Sequence, residues 1–171
     1  MKKMFLIMAL VASLFAWDEA KVKYVIDGDT LMLQKTDFKP FKVRLIALDT
    51  FETKMNHRVF KQLETLKMIH PNNPNHKDKY IHSVKKVLSL GYMARDYVVD
   101  NYLGKVVKYY SYGKDKYKRE LVWIDGLNFG LMRMGLAVYY PNNNISPDRK
   151  RYLNELSKDA NLNKRGIYRR K

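Results

Sequence analysis

The chain has no cysteine among its 171 residues. That absence removes disulfides, thiolate metal sites and cysteine nucleophiles together. Negative charge is also scarce: 17 acidic residues stand against 33 lysines and arginines, a formal net charge of +16. An imbalance of that size costs self-repulsion and points to a polyanionic partner, with nucleic acid the first candidate and an anionic membrane surface the second. Glycine and proline number only 8 and 5, and neither gathers into a linker that would divide the chain. There is no internal repeat. One domain around one core is the expectation, and an apolar content of 46% is that of a globular protein. No apolar run reaches the roughly 20 residues that a bilayer-spanning helix needs.

The longest apolar run lies at the N-terminus. Lys2 and Lys3 precede Met4 to Phe15, which is apolar except for Ser13. This is the pattern of a secretory signal peptide over residues 1–16, with Ala16 the expected cleavage residue and Ala12 the alternative. The protein is then periplasmic or secreted, without stable membrane insertion after cleavage. With no cysteine, a lipoprotein anchor is excluded. The rest, residues 17–171, is one domain and is expected to be a monomer. A domain of roughly 155 residues buries about 70% of its unfolded surface, which is enough to stand without disulfides.

Short alternating segments fill the first half. Lys21 to Ile26, Thr30 to Gln34 and Phe41 to Leu48 read as three strands joined by the Asp27-Gly28 turn and a second turn at Thr36 to Pro40. Arg58 to Ile69 has helical spacing. His70 to Lys79 is rich in Asn, Pro and His and reads as a loop, followed by a long helix from His82 to Tyr102. Lys105 to Tyr112 and Arg119 to Ile124 are two more strands. A short helix over Leu127 to Met134 and an extended Leu136 to Tyr140 follow. Ser146, Pro147 and Asp148 supply the N-cap, first position and first-turn acid of a last helix. Five short strands with helices inserted late predict an α+β, β-rich fold. It is a five-stranded Greek-key barrel of the OB type with about three flanking helices plus an inserted one. Such barrels commonly bind oligonucleotides across one face.

Residues 27 to 52 hold the chemistry. Asp27, Asp29, Asp49 and Glu52 lie within a short hairpin-like unit together with Arg44. Two carboxylates can hold a divalent cation, another can act on a water, and an arginine can clamp a phosphate. That is the equipment for hydrolysing a phosphodiester, and the basic surface says which kind arrives. Strict alternation puts Arg44 and Asp49 on opposite faces of one strand. The strand must therefore end or bulge before Asp49.

Five segments, in order, resemble the staphylococcal (micrococcal) nuclease-like thermonucleases. Asp27-Gly28-Asp29-Thr30 resembles the family's DGDT turn, and Arg44 to Glu52 resembles its R-L-x-x-x-D-T-P-E segment. Asp115-Lys116-Tyr117-Lys118-Arg119 resembles D-K/R-Y-G-R. Asn128 with Leu131 to Ala137 resembles N-x-x-L-V-x-x-G-L-A. Asn163 to Tyr168 resembles the closing G-L/I-W segment. The resemblance implies a five-stranded OB barrel and a calcium-dependent phosphodiesterase on DNA and RNA that leaves 3′-phosphate and 5′-hydroxyl ends. It implies carboxylate ligation of calcium by Asp29 and Asp49, a Thr50 backbone carbonyl as a further ligand, and Asp27 reaching the ion through water. Glu52 would be the general base, Arg44 and Arg119 the phosphate clamps, and Tyr117 a contact to a terminal phosphate or nucleotide.

Three features depart from the family pattern. Phe51 replaces a proline, and loss of that fixed φ is expected to loosen the loop presenting Thr50 and Glu52. Lys118 replaces a glycine before the second arginine, at the expense of strain if φ there is positive. The stretch from about Met55 to Leu88 is an added segment beside the active-site edge.

Other residues read more plainly. Tyr139 and Tyr140 are candidates for stacking bases, with core packing the alternative. His57, His70, His76 and His82 match no tight metal-binding spacing and read as solvated. Two rival functions fit the same composition: a non-catalytic OB module that binds nucleic acid, and a basic protein held to acidic lipid or cell-wall polymers.

Overall fold

The computed structural model describes residues 17–65 and 77–169. The expected signal segment 1–16, the end of the first expected helix, and His70 and His76 lie outside the described residues. Among the described residues seven strands and four α-helices follow in chain order. The strands are β1 (Asp18–Val25), β2 (Thr30–Gln34), β3 (Phe41–Leu45), β4 (Leu48–Thr50), β5 (Val106–Lys114), β6 (Glu120–Ile124) and β7 (Ala137–Tyr139). The helices are α1 (His57–Thr65), α2 (Lys77–Tyr102), α3 (Leu127–Arg133) and α4 (Pro147–Leu162), and a short 3₁₀ turn covers Gly166–Tyr168. Among the described residues no helix is long and apolar enough to cross a membrane.

Five strands close into a barrel in the order β1-β2-β3-β6-β5, and β4 pairs with β7 as a separate ribbon. Only β3 and β6 run parallel within the barrel; β1 pairs antiparallel with both β2 and β5 and shuts it. This is the expected OB-type α+β architecture. Alternation drives it: Leu31 and Leu33, Val43 and Leu45, and Val122 and Ile124 all point inward and are fully buried. On β1 the period breaks, because Val22 and Val25 are both buried although three residues apart. A bulge between Val22 and Tyr24 absorbs the extra residue and brings Val25 back to the interior.

The third expected strand is not continuous. β3 stops at Leu45, the chain turns through Ile46 and Ala47, and β4 begins at Leu48. Ala47 sits at φ 65°, so the backbone reverses there, and Asp49 is freed from the alternation that would set it opposite Arg44. Asn128 on α3 secures this corner. Its side chain is fully buried, accepts from the Ile124 N–H at 3.0 Å and donates to the Ile46 carbonyl at 3.0 Å.

The helices form as the caps dictate. Ser146 Oγ accepts from the Arg149 N–H at 3.3 Å, with Pro147 at the first helical position and Asp148 in the first turn. α4 then buries Leu153, Leu156 and Ala160. α2 starts at Lys77 rather than at His82. No glycine or proline stands between those residues, so nothing stops the helix propagating backward into the expected loop. The added segment builds a second, smaller core: Val59 and Leu63 of α1 and Val87 and Leu90 of α2 enclose Phe51.

Candidate active site

The turn after β1 and the corner after β3 bring the acidic residues together. Asp29 is 1% exposed. Its Oδ2 accepts from both the Thr50 N–H at 2.7 Å and the Thr50 hydroxyl at 2.8 Å. The Thr30 hydroxyl donates to Oδ1 at 3.1 Å. Asp27 accepts from the Asp29 N–H at 3.0 Å and so shapes the turn. Burial pushes the Asp27 carboxyl above the usual range, with Arg44 nearby pulling the other way. Gly28 is there because α2 passes so close: a Cβ would sit 2.6 Å from the Ala94 Cβ and 2.9 Å from Thr50 Cγ2.

Arg44 is the hub. Its guanidinium donates to Asp29 Oδ1 and to Asp49 Oδ1, and reaches the Leu48 carbonyl at 3.3 Å. Desolvation lowers its pKa from the usual arginine value, while Asp49 pulls upward; arginine has ample margin to stay charged at neutral pH. The expectation that Asp49 swings round to join Arg44 and Asp29 is met by the corner at Ala47.

Helical spacing marked this helix, α1, in the sequence, but not its part in the site. Three of its residues, or residues just before it, complete the site. Arg58 donates to Asp49 Oδ1 at 2.6 Å and lies 3.1 Å from Glu52 Oε1. Asn56 donates to Glu52 Oε2 at 2.7 Å. Gln62, buried, uses both ends of its amide: Nε2 donates to the Thr50 carbonyl at 2.9 Å and Oε1 accepts from the Glu52 N–H at 3.1 Å. That amide acts as a strand partner for the loop. Phe51 is 2% exposed and packed between α1 and α2. The loop is thus held by packing and by Gln62 where a proline would hold it by a fixed φ. The only sequence signal for α1's part was its position, immediately after Glu52.

Arg119 and Tyr117 occupy the turn between β5 and β6. Parallel pairing of β3 with β6 sets Arg44 opposite Leu121, so Arg119 stands in the turn just before the strand that runs beside β3. Arg119 donates through Nε to Asp115 Oδ2 at 2.8 Å and lies over the Tyr117 ring. Asp115 also accepts from the Tyr117 and Arg119 N–H groups, at 2.8 and 3.0 Å. Lys118 adopts φ 63°, the left-handed region that costs a side chain roughly 1–2 kcal/mol. Lys118→Gly is therefore expected to raise stability by about 1 kcal/mol, read as a higher urea midpoint with an unchanged slope. A lower midpoint would show that Lys118 makes a contact worth more than the strain.

Tyr140 is exposed, beside the β4–β7 ribbon, and its N–H donates to the Ala47 carbonyl at 3.1 Å. Tyr139 lies opposite Leu48 and packs partly on the main core, with a buried hydroxyl that has no hydrogen-bond partner among the described residues. Of the two, Tyr140 has the free ring face that stacking needs.

A divalent cation suits this group in kind. Asp29, Asp49 and the Thr50 carbonyl offer hard oxygens only, the donors calcium prefers. Arg44 already stands between the two carboxylates, so a positive charge is held where a cation would be needed. Among the described residues no three His, Asp or Glu side chains form a ready-made cage. Water and a phosphate oxygen would have to complete the coordination.

No curated protein matches the chain. A family model described as staphylococcal nuclease homologue matches residues 42–170, a span that takes in Arg44, Asp49, Glu52, Arg58 and Arg119. The Asp27–Thr30 turn falls before that span and joins the site through the fold, by the bonds from Thr50 and Arg44 to Asp29. By that match and by the barrel that carries these residues, the chain belongs to the staphylococcal nuclease homologue family.

Proposed function

We propose that the protein is a calcium-dependent nuclease that hydrolyses phosphodiester bonds of DNA and RNA and leaves 3′-phosphate ends. We further propose that it acts outside the cytoplasm once residues 1–16 are removed. The observation that carries the reading is the Arg44 guanidinium set between Asp29 and Asp49, with Glu52 on the same loop. Asp29, Asp49 and the Thr50 carbonyl would hold calcium, with Asp27 behind them. When bound, calcium supplies a Lewis acid for the phosphoryl oxygens.

The chain's own groups do the rest. Arg44 is aimed at this site by its two carboxylates and can donate to oxygens that gain charge during attack. Arg119, in the turn before the neighbouring strand, can add a second guanidinium donor. Glu52 receives the proton of the attacking water. Both of its oxygens have donors, Asn56 and Arg58, so one of those contacts opens for the transfer. Tyr117 and Tyr140 offer exposed rings to the flanking nucleotides.

The test is digestion of single-stranded and duplex DNA and of RNA by the purified chain, with calcium, with magnesium alone, and with a chelator. Cleavage is expected only with calcium, and Asp49→Asn is expected to abolish it. Retarded but uncut nucleic acid in every lane would instead favour a binding-only module.

A further inference from the structure

Two guanidinium groups, Arg44 and Arg58, touch the site's carboxylates, and they are not equivalent. Arg44 is 12% exposed and wedged between Asp29 and Asp49. Arg119, at 24%, is tied by two nitrogens to Asp115. Arg58 is 41% exposed while bridging Asp49 and Glu52, so it is the guanidinium on the solvent side of the group. The backbone beneath it is firm: Val59 and Leu63 are 0% and 1% exposed, and the Arg58 N–H donates to Asn56 Oδ1 at 2.8 Å. The side chain is long and single-ended. It can leave the carboxylates without moving the helix.

Charge gives it a reason to do so. Asp27, Asp29, Asp49 and Glu52 bring four acidic side chains to one small region, and Asp27 as well as Asp49 and Glu52 acts electrostatically on Arg58. Without Arg58, a phosphodiester approaching from solvent would meet four carboxylates against the one buried guanidinium of Arg44. A cation at the mouth offsets the repulsion before the phosphate reaches Arg44.

We propose that Arg58 is a third phosphate-binding arginine of this site, supplied by α1. It exchanges its contacts with Asp49 and Glu52 for oxygens of the incoming strand's phosphate, and in doing so it releases Glu52. The inference rests on the nuclease reading above.

The test uses the full chain, with the variants Arg58→Ala, Arg58→Lys and, as a charge control on the exposed side of α4, Lys158→Ala. The probe is a short single-stranded oligothymidylate in excess chelator, so that binding is read without cleavage. Dissociation constants are measured over a salt series, and melting midpoints in parallel. Arg58→Ala is expected to weaken binding about tenfold and to flatten the slope of log K against log salt by about 0.7, the loss of one phosphate contact on a single strand. Arg58→Lys should keep the slope and lose part of the affinity, since an ammonium cannot bind a phosphate bidentately. Lys158→Ala should leave the slope nearly unchanged.

Wild-type binding matched by Arg58→Ala in both affinity and slope would overturn the inference alone. So would an equal change in Lys158→Ala, which would mean diffuse attraction. In a parallel calcium titration without chelator, a tighter affinity in Arg58→Ala with oligonucleotide binding untouched would make Arg58 a counter-ion of Asp49 and nothing more. A lowered melting midpoint with an unchanged slope would make it structural. If the wild-type chain neither binds nor cuts any nucleic acid, the nuclease reading fails first.

Discussion

Arg44→Ala is expected to lower turnover by at least about 10²–10³-fold, the usual loss for one preorganised donor to a developing oxyanion. It should also destabilise the metal-free protein by about 3–5 kcal/mol, because a buried ion pair loses its shared cation. Asp29 is 1% exposed and cannot recover that loss from water. The two effects are separable. If calcium binds the folded state as proposed, it stabilises by mass action, about 2.7 kcal/mol at a hundred times its dissociation constant. It should therefore raise the Arg44→Ala melting midpoint while turnover stays low. Arg44→Lys should fall between, since a point charge cannot span Asp29, Asp49 and the Leu48 carbonyl as the planar fork does. Turnover within tenfold of wild type would remove Arg44 from the chemistry. An unchanged midpoint would show that the ion pairs contribute little to folding.

Gly91→Ala is the second large effect, and its sign runs against helix propensity. Gly91 lies inside α2, where alanine ordinarily gains about 1 kcal/mol over glycine. Here a Cβ would fall 2.5 Å from the Glu52 carbonyl carbon and 2.8 Å from the Phe51 carbonyl oxygen. Those are backbone atoms and cannot rotate aside. The loop must lift, taking Phe51 from its pocket between α1 and α2 and straining the Gln62 bonds to Thr50 and Glu52. Overpacking of this kind costs about 1–3 kcal/mol. Misplacing a reacting group by about 1 Å costs on the order of 10²-fold in rate. Gly91→Ala should thus be both less stable by chemical denaturation and about a hundredfold slower. Ser89→Ala, on the exposed side of the same helix, should be neither. A stable, fully active Gly91→Ala would show that the loop is not seated on α2 during turnover.

Both variants act on contacts between segments far apart in the chain, and this divides what was legible in the sequence from what was not. The barrel strands could be read because inward and outward residues alternate locally. The α4 start could be read because Ser146, Pro147 and Asp148 each satisfy a need of the first helical turn. The Asp27-Gly28-Asp29 turn, Arg44, Asp49 and Glu52 stood out by residue type and spacing. Even the break before Asp49 followed from parity. Arg58, Asn56 and Gln62 did not stand out, because a polar residue on an amphipathic helix looks the same whether it faces solvent or a neighbouring loop. Gly91 looked like an ordinary weak spot in a helix, and Phe51 like the loss of a stiff proline.

By itself the sequence determined the strands, the capped helix, the strongly basic surface and the set of acidic and basic groups, because each is a local property of composition or period. The tertiary structure decided which groups meet. Closing β1 against β5 and running β3 beside β6 set the strand of Arg44 next to the strand that follows Arg119. Packing α2 against the Gly28 turn and the Glu52 loop brought Asp29 to Thr50. Docking α1 through Val59 and Leu63 put a further guanidinium over Asp49 and Glu52. Those choices rest on burial of apolar surface between distant segments, and no local pattern encodes which buried face will find which partner.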